Sequence, residues 1–250
     1  MLRPVLAAVL AAVLAAVLAF ALPLAAAPAD AAEQRRVIVR DGTEIDYAVA
    51  LPPGYDPASS YPAVLAIPGG EMTPDGARRL IESLFEAEAA RAGYLVFAPA
   101  AQWGGERPFI GMYADDTLLP QFMDAMVSQY AVEGTRFHLA GFSAGAEALF
   151  RSAVRVPGRY RSLTAMSGHA GDPEDLARLD RLAGLPVAMF VGEGDIYVAP
   201  GMEEVRDRLE AAGIEVHYEV VAESWHRLEA LRTPEGQARL WGFVTRDRAE

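Results

Sequence analysis

Gly141-Phe142-Ser143-Ala144-Gly145 is the segment whose residue types and spacing can do covalent chemistry. It fits G-x-S-x-G and stands directly between an apolar, strand-like run (RFHLAGF) and a stretch with helical spacing (AGAEALFRSAVR). A sharp strand-to-helix turn would lift the Ser143 hydroxyl above a sheet edge, with small neighbours letting other backbone pass close by. The free N–H groups of the following helix would face the same spot and favour developing negative charge. The plain alternative is a small-residue turn that only packs a helix on a sheet.

A serine hydroxyl needs a base beside it. The chain has four histidines. His138 lies inside the strand-like run before Ser143 and His217 inside a late one, so both read as packed strand residues. His169 follows Ser167-Gly168 in a loop and is a candidate for the pocket, or a weaker one for the base. His226, in the AESWHRL loop between the last strand-like run and the last helical one, is the base this reading selects. The acid should stand between the two in chain order, at the carboxyl end of a strand. Asp195 in VGEGD does so, with Glu193 and Asp172 as rivals. Its task is to hold the imidazole tautomer and to stabilise the imidazolium.

Backbone N–H groups must also bind the oxyanion. Ala144 is one donor. Gly70 or Glu71 is the other, since Pro68 in IPGGE has no N–H to give. Trp103, Phe109 and Tyr113 form an aromatic loop that either lines a pocket or merely packs, and Trp225 beside the base is expected to narrow the pocket. Such a mechanism needs no cofactor. The histidines stand on separate segments, without metal-ligand spacing.

The elements that must carry these residues alternate between strand-like and helix-like runs, which favours an α/β sheet with mostly parallel strands. Asp41-Gly42 between two alternating runs predicts a hairpin. Helices are expected over 75–92, 114–130, 144–156, 173–183, 201–212 and 234–247. No linker divides residues 32–250, which read as one domain. Residues 1–31 read differently: Arg3, an unbroken apolar run from Val5 to Leu24 and an Ala29-Asp30-Ala31 site predict a secretory signal peptide, with a retained anchor as the alternative. Export to the periplasm or the outside follows, with no stable membrane association after cleavage. The net charge of −12 opposes binding to nucleic acid. There is no cysteine, which excludes disulfides and thiolate chemistry.

LPPGY, AVLAIPGG, the Gln102-Trp103 loop, DDTLLPQFMDAMVSQYAVEGTRFHLAGFSAG, AMSG, VGEGD and SWH together resemble the α/β-hydrolase superfamily. Within it the chain is similar to exported esterases of the polyhydroxybutyrate depolymerase and feruloyl esterase type. The resemblance spans about residues 45–245. It implies the α/β-hydrolase fold, with a mostly parallel central sheet and helices on both faces. It also implies a Ser143–His226–Asp195 triad acting on a small-molecule or polymer-derived carboxylic ester through an acyl-enzyme. The family's oxyanion loop usually carries His-Gly where this chain has Pro68-Gly69, and Trp225 replaces a glycine common in relatives. A peptidase on the same fold, or a non-catalytic binding protein on a hydrolase scaffold, are the other readings.

Overall fold

The protein is described from a computed structural model over residues 32–246, except Glu71 and residues 101–116. The expected signal peptide, Glu71, Trp103, Phe109 and Tyr113 therefore lie outside the described residues. Among the described residues no helix is long and apolar enough to cross a membrane.

The chain opens with β1 (Glu33–Ile38) and β2 (Glu44–Ala50), paired antiparallel. Between them Gly42 takes φ 87, and Val39 and Thr43 close the hairpin through a 2.9 Å backbone bond. Six further strands follow: β3 (Ala63–Ile67), β4 (Leu95–Pro99), β5 (Phe137–Phe142), β6 (Tyr160–Met166), β7 (Val187–Gly192) and β8 (Val216–Val221). They pair parallel to one another, in the sheet order β1-β2-β4-β3-β5-β6-β7-β8. Strands β3 and β4 are buried along their whole length, as a sheet covered on both faces demands.

Helices cover both faces. On one side lie α1 (Pro74–Leu84), α2 (Glu86–Ala92) and α7 (Pro234–Val244); on the other lie α3 (Leu118–Gln129), α4 (Ala144–Arg155) and α6 (Ala199–Ala211). Each layer has its own core. Leu80, Ile81, Leu84 and Trp241 pack on one face, and Phe122, Leu149, Phe150 and Val205 on the other. The expected helix over 75–92 is two, because the backbone at Phe85 leaves helical geometry at φ −128 while its ring enters the core. The helix expected over 173–183 is also corrected. It is one turn, α5 (Pro173–Leu176), followed by a 3₁₀ turn over Leu179–Leu182.

Gly145 is where α4 meets the sheet. A Cβ there would lie 2.2 Å from the Ile67 carbonyl oxygen, and one at Gly141 would lie 2.3 Å from the Gly145 carbonyl oxygen. Alanine inside a helix gains about 1 kcal/mol over glycine, but forced overpacking costs about 1–3 kcal/mol. The clash is with backbone, which cannot swing aside, so the second term wins. Gly145→Ala will lower stability by about 2 kcal/mol, read as a lower urea midpoint at unchanged m-value. A midpoint at or above that of the parent would show that α4 does not press on β3 here.

Candidate active site

Ser143 is the residue between β5 and α4. Its backbone sits at φ 54, ψ −121, a conformation L-residues rarely adopt. Three contacts hold it there. Its N–H donates to the Met166 carbonyl at 2.8 Å, its own carbonyl accepts from Ala146 at 2.8 Å, and Gly168 passes so close that a Cβ would meet that carbonyl at 2.3 Å. The strain fixes where the hydroxyl points.

His226 comes from the loop between β8 and α7. Its Nε2 lies 2.9 Å from Ser143 Oγ, and its Nδ1 lies 2.7 Å from Asp195 Oδ2. A carboxylate only accepts, so Nδ1 carries the proton and Nε2 is left to accept the serine hydroxyl. The ring also lies 5.5 Å from that of Phe142. Asp195 is 6 % exposed and follows β7 by a tight turn, its N–H donating to the Gly192 carbonyl at 2.9 Å. It stands just ahead of α6, and the N–H groups of Val198, the residue capping that helix, and of Ala199, its first residue, bond the Asp195 carbonyl oxygen. That helix terminus favours a negative charge. The three groups thus form one hydrogen-bonded line from three separate strand ends.

The rivals stand elsewhere. Glu193 turns outward and accepts from the Glu223 N–H at 3.2 Å, pinning one loop to another. Asp172 caps α5 by accepting from the Glu174 N–H, and it pairs with Arg151 at 2.9 Å. That backbone N–H, then the Arg151 charge, hold its carboxyl below the usual range. His138 is fully buried, its Nδ1 2.9 Å from Ser162 Oγ, and His217 stacks on Phe243 at 4.0 Å. His217 borders a second cavity, of about 290 Å³, at the opposite ends of β7 and β8.

Ala144 and Gly70 have no backbone hydrogen-bond partner among the described residues, so both N–H groups are free to bind an anion. Gly69 brings Gly70 to the serine, since a Cβ on Gly69 would lie 2.8 Å from Ser143 Cβ. The role of this first glycine was missed in the sequence, although IPGG was its signal. Over Ser143 opens a cleft of about 490 Å³, lined among others by Ala144, Glu147, Ser167, His169, Asp172 and His226. Glu147 and Ser167 were not singled out in the sequence. Trp225 was expected to narrow the pocket. The ring lies over Gly194, 69 % exposed, and is not among the residues lining the cleft. The missing Cβ of Gly194 gives the indole its seat outside.

No family model and no curated protein matches the chain. Solved structures do. A thermostable esterase superposes with a TM-score of 0.68 at 17% identity, over 85% of this chain and 62% of its own. A ferulic acid esterase from Anaeromyces mucronatus gives 0.63 at 17%, over 88% and 92%. Porphyromonas gingivalis dipeptidyl peptidase 4 gives 0.64 at 16%, over 84% and 34%. The chain thus spans about a third of that peptidase and less than two thirds of the thermostable esterase. Together with the sheet order, the likeness shows that the chain has the α/β-hydrolase fold.

Proposed function

We propose that the protein is a serine hydrolase that cleaves carboxylic esters through an acyl-enzyme. The observation that carries the reading is the continuous line Asp195–His226–Ser143, with bonds of 2.7 and 2.9 Å and the serine in a strained turn. Ser143 Oγ attacks the ester carbonyl while His226 Nε2 takes its proton, and Asp195 steadies the imidazolium. The N–H groups of Ala144 and Gly70 receive the oxyanion. His226 then returns its proton to the leaving alcohol. A water activated by the same nitrogen releases the acid and restores the serine.

Esters are favoured over peptides by an open cleft, about 490 Å³ in volume, beside a base that is 43 % exposed. A fluorophosphonate probe will label the protein at Ser143, as read by peptide mass after digestion, and Ser143→Ala will abolish labelling. An unlabelled but folded parent protein would favour a binding protein that has kept a hydrolase scaffold.

A further inference from the structure

The cleft over Ser143 presents acceptors to whatever enters it. Glu147 stands one helical turn beyond the nucleophile on α4, and its carboxylate has no hydrogen-bond or ion-pair partner among the described residues. Asp172 lines the same cleft as a second carboxylate, already engaged by Arg151. His169 also lines the cleft, with Nδ1 donating to the Ala170 carbonyl at 3.0 Å and the Nε2 edge of its ring packed against Gly201.

A second, independent observation is Ser167. It directly follows β6, lines the cleft and is 1 % exposed, yet its hydroxyl has no hydrogen-bond partner among the described residues. A buried hydroxyl without a partner is costly, about 1–3 kcal/mol, and such groups are uncommon in folded proteins. A ligand group that supplies the missing partner removes that cost. An unpaired carboxylate and a hydroxyl, flanked by a second carboxylate, match one chemistry best: a cationic donor with several N–H or polarised C–H groups. A carboxylate or phosphate would meet Glu147 and Asp172 as like charges, in a chain of net charge −12.

We infer that the cleft selects esters carrying an ammonium group in the acyl or the alcohol part, with Glu147 as the specificity-determining carboxylate and Ser167 as its neutral partner. The inference rests on the ester-hydrolase reading above and names the substrate class for that site.

The test compares matched esters on protein whose active sites have been titrated with a fluorophosphonate. On the acyl side, p-nitrophenyl aminocaproate is set against the caproate and the hydroxycaproate. On the alcohol side, butyrylcholine is set against its uncharged dimethylbutyl isostere. The expected result is a kcat/KM ratio of about 10–100 in favour of the cation on at least one side, the worth of one charge-assisted hydrogen bond. Glu147→Gln should bring that ratio close to one, and Glu147→Lys should reverse it. Ratios are internal to each variant, so a change in overall activity does not affect them. If every parent ratio stays near one, if the hydroxycaproate matches the aminocaproate, or if Glu147→Gln keeps the preference, the inference is overturned while the hydrolase reading stands. If the parent takes up no probe and turns over no ester, both fall together.

Discussion

Ser143→Ala and His226→Ala will each lower kcat on a neutral ester by about three orders of magnitude or more, and the double variant will fall little further. The two side chains act through one bond of 2.9 Å, so removing either end removes the same proton transfer. Losses that belong to one unit do not add. The residual rate should stay above that of water, because the N–H groups of Ala144 and Gly70 are backbone and survive both changes. Neither substitution should unfold the chain, since Ser143 is held by its main chain and His226 is partly exposed. Steady-state kinetics, with circular dichroism as the control, decide the matter. Two independent losses that multiply in the double variant would mean that serine and histidine serve different steps.

The acid should give an effect of similar size, and here three carboxylates compete. Asp195→Asn will cost about 10⁴ in kcat on the same ester, the loss seen when an amide replaces the orienting carboxylate in a well-characterised serine protease. An amide can donate to Nδ1, which traps the proton on Nε2 and leaves the imidazole unable to accept from Ser143. Glu193→Gln removes only half of an exposed loop contact with the Glu223 N–H, and the amide oxygen can still accept. Asp172→Asn keeps the helix cap for the same reason and gives up a partly exposed ion pair with Arg151, a kind of contact that contributes little. Both should stay within about tenfold of the parent. An inactive Glu193→Gln beside an active Asp195→Asn would require that the turn after β7 rearranges in solution.

The ease of reading this site from sequence follows how local each part is. GFSAG could be read because strand, turn and helix are contiguous and the glycines are demanded by contacts within a few residues or with the neighbouring strand. The Pro68 to Gly70 segment carried its own signal, a proline without a donor followed by two glycines. Asp195 and Glu193 could only be ranked. Two residues apart on a strand they would share a face, and it is the turn closed by the Asp195 N–H on the Gly192 carbonyl that separates them. The seat of Trp225 was not legible, because it is Gly194, 31 residues away, where a ring fits in place of a Cβ. Phe85 escaped for the opposite reason: apolar spacing runs unbroken from Leu80 to Ala89, so periodicity cannot show where the axis bends. Glu147 and Ser167 gained meaning only once β5, β6 and α4 stood side by side around one cleft.

The hydrogen-bonded line joins positions 83 and 31 residues apart, and it draws on the ends of β5, β7 and β8 with β6 wedged between. No fragment of the chain short of that four-strand block contains all three of its members. Parallel pairing with long crossovers is slow to form, because loop-closure entropy is spent before the contacts that reward it. During refolding, helical signal will therefore return well before turnover does. Hydrolytic activity becomes a clock for the last strand to dock, and a partly folded chain, however rich in helix, is chemically silent.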